Sequence, residues 1–224
     1  MDIVRQKLVE AEEKAAALFK ETEDRGLMKP GKSERVLNEE VFQLADQLFG
    51  IKKYWHKRIV RSGPNTLQPY HENPPDRLVQ DDDILFFDFG PIFEDWEADF
   101  GRTYVIGNDP LKHKLRRDIE LAWQEGKAWF DKQTAVTGAE FYHYVVEMAK
   151  RYGWRHEAEI AGHLIGQFPH ERLEPGQHGL YVHPENHNDM LLPDAQGNKR
   201  NWILEIHFID RERQIGGFFE QLLT

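Results

Sequence analysis

Residues 81–107 read DDDILFFDFGPIFEDWEADFGRTYVIG. Ile84, Leu85, Phe86 and Phe87 form an apolar run of β-formers, and Arg102, Thr103, Tyr104, Val105 and Ile106 form a second, with Gly90 and Pro91 punctuating the interval. The pattern predicts a strand, a turn region and a returning strand. Asp88 ends the first run and Asp99 stands just before the second, eleven positions later. An ionised carboxylate packed against an apolar strand is strongly penalised unless a cation or strong donors meet it. Taken alone, one acid can cap a turn while the other pairs with Arg102. A shared role for the two needs more ligands downstream.

Those ligands are present. GHLIGQFPHE (162–171) contains His163 and His170, WILEIHF (202–208) places Glu205 inside a β-like apolar run, and GGFFEQLL (216–223) places Glu220 in another. Asp88, Asp99, His163, Glu205 and Glu220 together offer hard oxygen donors with a single borderline nitrogen. That set suits two divalent ions of the manganese, cobalt, iron or zinc kind better than one thiophilic ion. Without a cation, four converging carboxylates repel one another.

The ordered set, two Asp eleven apart, a Gly-His with a second His seven residues on, then two Glu, resembles the M24 metallopeptidases over about residues 60–224. That family includes methionine aminopeptidase, aminopeptidase P and prolidase. The resemblance implies an α+β pita-bread fold, in which two pseudo-symmetric halves contribute helices that cover a curved antiparallel sheet. It implies metal ligation by Asp88, Asp99, His163, Glu205 and Glu220, with two ions that share and activate a water. It further implies catalytic roles for Glu205 as proton carrier and for His71 and His170 as hydrogen-bond donors to the intermediate, His71 lying 17 residues before Asp88. Arg102 is expected to support Asp99. The implied activity is exopeptidase hydrolysis of the N-terminal bond of short peptides, of the aminopeptidase or Xaa-Pro kind. Relatives also include non-peptidase C–N hydrolases and peptide-binding or scaffold modules, but retention of all five ligands favours the metal-dependent enzyme. Glu159 stands where prolyl-specific relatives usually have a further His, Leu164 where methionine aminopeptidases have Gly, and Ile206 where Pro commonly follows the Glu.

Composition sets broad limits. The 224 residues suggest a single domain spanning 1–224, and 40% hydrophobic with 12% aromatic residues fits a packed globule. A net charge of −10 opposes nonspecific binding to nucleic-acid phosphates, and no apolar run approaches the roughly 20 residues that cross a bilayer. Cysteine is absent, and the charged N-terminal segment has no apolar signal core, so a cytoplasmic location is expected. A homodimer is compatible with the sequence.

Helical periodicity predicts helices over residues 3–23, over a segment capped by Ser33 and ending at Gly50, over 111–130, and from Thr137 to Gly153. Tyr54 to Leu67 reads as a strand with a turn, and the helix, helix, strands order then appears twice. Residues 173–201, rich in Pro, Gly and Asn and containing His178, His183 and His187, read as a solvated loop in preference to a third metal site.

Overall fold

Among the described residues, four helices begin on a side-chain cap, and two of them end on a left-handed glycine. In the computed structural model, which describes residues 2–171 and 176–224, α1 (Ile3–Asp24) is capped by Asp2, whose carboxylate accepts from the Val4 and Arg5 amides. Helix α2 (Glu34–Phe49) starts on Ser33 and stops at left-handed Gly50. Helix α3 (Pro110–Phe130) is capped by Asp109, and α4 (Gly138–Tyr152) opens with a Thr137/Glu140 capping box. The start of the expected 173–201 loop, residues 173–175, lies outside the described residues.

The strands are β1 (Ile59–Ser62), β2 (Ile84–Phe89), β3 (Ile92–Phe93), β4 (Trp96–Glu97), β5 (Phe100–Val105), β6 (Arg155–His156), β7 (Leu164–Ile165), β8 (Asn201–Asp210) and β9 (Ile215–Leu222). All pair antiparallel: the main sheet runs β1-β2-β5-β9-β8-β6, with β7 also on β8, and β3 and β4 make a small hairpin between β2 and β5. Tyr54 to Leu67 is only partly strand. Strand β1 covers four residues and Gly63–Leu67 turns into a 3₁₀ helix, while residues 54–58 leave the sheet, where Trp55 donates to the Gly90 carbonyl.

One face of the sheet takes the helices. Leu85, Phe87 and Phe89 of β2 pack with Phe100 against Leu18, Phe19 and Leu37 of α1 and α2. The Phe19 ring meets those of Phe87, Phe89 and Phe100 edge-on, at centroid distances of 5.8, 5.7 and 5.2 Å. In the second half, Trp202, Leu204, Ile206 and Phe208 of β8 and Phe219 of β9 pack against α3 and α4. Because side chains alternate along a strand, the residues between these core positions, Asp88, Glu205, His207 and Glu220, project to the other face.

The same alternation corrects the expectation for Arg102. It lies an odd number of residues from Asp99 and packs with the core side, between the rings of Phe100 and Phe219, 3.7 and 3.8 Å from their centroids. Its guanidinium donates to the carbonyls of Gly101 (2.7 Å) and Glu220 (2.8 Å) and to the Gln221 side chain. It therefore braces the backbone of Glu220 and leaves Asp99 to other partners.

His156 and His207 are buried on adjoining strands, the His207 amide donating to His156 Nδ1 at 3.3 Å. Burial, with the neighbouring His207, pushes the His156 imidazole down to about 4. A folded-state value below the unfolded one, about 6.5, means that stability is fully present above pH 6.5 and lost as pH falls through about 4. The loss from His156 should be on the order of 3 kcal/mol by pH 4. Urea unfolding of wild type and His156→Gln at pH 7 and pH 4 should show a smaller acid loss in the variant; equal losses would refute the assignment.

Candidate metal centre

The carboxylates are aligned by strand register. Asp88 pairs with Gly101, Gly101 with Glu220, and Glu220 with Glu205, so three acids stand in one row across β2, β5, β9 and β8. Gly101 interrupts the row for steric reasons: a Cβ there would lie 2.5 Å from Phe218 Cδ1 and 2.9 Å from Glu220 Cβ. Asp99 enters from the residue just before β5. His163 enters from the loop before β7, where Gly162 adopts φ +147° with its Cβ position 2.1 Å from the Ile203 carbonyl oxygen. A side chain there would push the loop off β8 and carry His163 away.

His163 Nε2 lies 3.0 Å from Asp99 Oδ2 and 3.6 Å from Glu220 Oε1, with Nδ1 2.9 Å from the Leu164 carbonyl. On the other side of Asp99, His56 Nε2 lies 3.0 Å from Oδ1 and 3.6 Å from Asp88 Oδ1. His170 Nδ1 lies 2.6 Å from Glu97 Oε2, and Glu97 also accepts from the His170 and Gly166 amides. The Trp55 ring stands edge-on to all three imidazoles, at centroid distances of 4.5 to 5.3 Å, and its Nε1–H donates to the Ala98 carbonyl. A cavity of about 690 Å³ opens above the row.

Placed together, these charges perturb one another. Burial pushes the Asp88 carboxyl up to about 7, with Asp99 and Glu205 adding to the rise against the pull of His56. Burial likewise raises Glu205, and raises Glu220 well above the usual carboxylate range, with Asp99 and Asp88 adding to it. Asp99 is also buried, but His56 and His163 outweigh that and hold its carboxyl below its ordinary value. Burial lowers both imidazoles, yet their carboxylate neighbours bring His56 up to about 9 and His163 up to about 8.

The residues fit divalent cations on the donor set itself. His56, Asp88 and Asp99 bring donor atoms within 4.8 Å of one another, as do Asp99, His163 and Glu220, and Asp99 belongs to both groups. Glu220 Oε2 is buried with no hydrogen-bond partner among the described residues, which a cation would remedy. A third such group is His178, His183 and Glu185, of which the two histidines line the cavity with their rings stacked at 3.7 Å.

His71 lines the same cavity at its outer edge, its side chain 61% exposed and Nε2 3.6 Å from Glu72. The imidazole beside Asp88 and Asp99 is that of His56. Sequence reading missed His56 and Glu97. His56 lies in KKYWHKR, where a His among cations reads as surface. Glu97 did leave a signal, because it precedes Asp99 by two and so shares its side of the chain.

A buried cluster of carboxylates and imidazoles on one face of an α+β sheet is a candidate divalent-metal centre. The profile of metallopeptidase family M24 matches residues 6–195, and the chain belongs to that family. It is 27% identical over 142 residues to a Xaa-Pro dipeptidase of Pyrococcus horikoshii, an alignment covering 63% of this chain and 40% of that protein. The fold is that of a Xaa-Pro dipeptidase from Bacillus anthracis (TM-score 0.76, 20% identity, 100% of this chain and 61% of that one). It is also that of a methionine aminopeptidase from Rickettsia prowazekii (TM-score 0.70, 14% identity, 99% and 95%). The chain thus spans less than half the length of the curated relative.

Proposed function

We propose that the chain is a metal-dependent exopeptidase that hydrolyses the N-terminal peptide bond of short peptides with two divalent ions of the manganese, cobalt, iron or zinc kind. The observation that carries this reading is the buried donor set itself, with Asp88, Glu220 and Glu205 in one row across the strands and Asp99 3.0 Å from His163 beside it, a set that would hold divalent cations. Asp88, Asp99, His163, Glu205 and Glu220 make up the ligand set. When bound, such ions lower the pKa of a water and stabilise negative charge on the scissile carbonyl oxygen.

The protein supplies the rest. Glu205, paired with Glu220 and lining the cavity, would take the proton from water and pass it to the departing amine. Glu97 accepts from Nδ1–H of His170 and, as a carboxylate, stabilises the imidazolium form, in which Nε2 also carries a proton to donate to the carbonyl oxygen of the intermediate. His71, exposed where it lines the cavity, would meet a part of the substrate that projects from it. Xaa-Pro peptides are the first substrates to test, because the relatives bear that specificity in their names. Short peptides as the ligand, a cytoplasmic location and a homodimer belong to the same reading. No helix among the described residues is long and apolar enough to cross a membrane.

Chelation should abolish hydrolysis, and Mn²⁺ or Co²⁺ should restore it, since oxygen-rich sites discriminate poorly among first-row ions. Free-amine peptides should be cleaved and their acetylated forms spared. Full activity after verified metal removal, or equal cleavage of both forms, would sink the reading.

A further inference from the structure

We propose that His56 is a sixth metal ligand, so that each of the two ions is held by one imidazole on either side of Asp99. The inference rests on the two-ion reading above and goes beyond its five ligands, which contain a single nitrogen.

The geometry around the two histidines matches almost atom for atom. Each points Nδ1 at the carbonyl of the next residue, Lys57 at 2.8 Å for His56 and Leu164 at 2.9 Å for His163. A carbonyl accepts only, so Nδ1 bears the proton in each, and Nε2 is the nitrogen left to give a lone pair to a cation. Each Nε2 then lies 3.0 Å from its own oxygen of Asp99 and 3.6 Å from one further carboxylate, Asp88 for His56 and Glu220 for His163. Both side chains are buried, 7% and 9% exposed. The two donor groups, His56 with Asp88 and Asp99, and His163 with Asp99 and Glu220, meet only at Asp99.

The surroundings of His56 are built to hold the ring there. Gly90 faces it so closely that a Cβ would lie 2.2 Å from His56 Cδ2 and 2.4 Å from Nε2. Trp55 stands edge-on against it at 4.5 Å between centroids. A ligand on the Asp88 side needs an acceptor to hold Nδ1–H and a further carboxylate beside Nε2, and His56 has both. With His56 in place, the Asp88 ion has an imidazole as well as oxygen donors, so the two sites should differ less in affinity than a one-nitrogen set would make them.

The full chain loaded stepwise with Co²⁺ tests this directly. Ions bound are counted by elemental analysis, and proton NMR of the paramagnetic protein counts solvent-exchangeable, strongly shifted resonances, one for each coordinated imidazole with a protonated Nδ1. Wild type should bind two ions and show two such resonances. His56→Ala should show one and bind the second ion at least about a hundredfold more weakly. Gly90→Ala, which keeps the imidazole but denies it its place, should behave like His56→Ala, and His56→Asp should regain part of the lost affinity. One resonance from wild type carrying two ions would overturn the proposal while leaving the two-ion reading intact, and this measurement needs no variant to fold. Unchanged affinity for both ions in a folded His56→Ala would overturn it equally. Fewer than two ions in wild type would overturn both.

Discussion

Asp99→Asn is expected to empty the centre of at least one ion and to lower turnover of a cleavable peptide by about a thousandfold or more. Asp99 is 3% exposed and both its oxygens are engaged, at 3.0 Å each, by His56 and His163. The amide keeps the shape but removes the charge that balances two dications, and one of its two termini becomes an N–H₂ that can only repel a cation or an N–H donor. Relief elsewhere cannot compensate, since Asp88 and Glu220, already pushed up by burial and by Asp99, become easier to ionise but do not reach both imidazoles. Metal per chain and steady-state kinetics on the folded variant provide the measurement. Two ions retained with normal turnover would remove Asp99 from the ligand set.

His170→Ala and His163→Ala should separate two imidazoles that lie seven residues apart and serve different chemistry. His163 touches Asp99 and Glu220, so its loss should lower metal occupancy, with activity falling alongside. His170 touches Glu97, outside the carboxylate row, and lines the cavity. His170→Ala should keep both metals and lower turnover by about a hundredfold or more, as on removing one transition-state donor. Glu97→Gln should act in the same direction more weakly, since the amide oxygen can still accept from Nδ1–H but no longer carries the charge that stabilises the imidazolium. Metal loss in His170→Ala with retention in His163→Ala would reverse the two roles. Near-normal turnover of His170→Ala would remove it from the reaction.

Much of the architecture was legible because it depends on short-range rules. The helices start at Ser33, Asp109 and Thr137 and stop at Gly50 and Gly153, since a cap needs only a side-chain acceptor or a left-handed residue at a fixed offset. The run from Ile84 to Phe87 and its return from Arg102 to Val105 do form paired strands, because apolar β-formers on both sides of a turn have few alternatives. Period-two alternation also carries Glu205 and Glu220 to the face opposite the core.

Three matters were decided only by the tertiary structure. Alternation says that Arg102 and Asp99 diverge, but its seat between Phe100 and Phe219, bracing Glu220, depends on how β5 meets β9. His71 and His56 were indistinguishable from solvated histidines by composition. The path of residues 54–58 off the sheet and across Gly90 puts His56 beside Asp88 and Asp99, while the turn after β1 leaves His71 at the rim. Glu97 became the partner of His170 through a hairpin inserted between the strands that carry Asp88 and Asp99. The sequence alone determined which residues could bear charge toward a common face, since that follows from local periodicity. Which nitrogen meets which oxygen was left to the tertiary structure, because contacts between residues 43 to 73 apart depend on loop paths that no local pattern encodes.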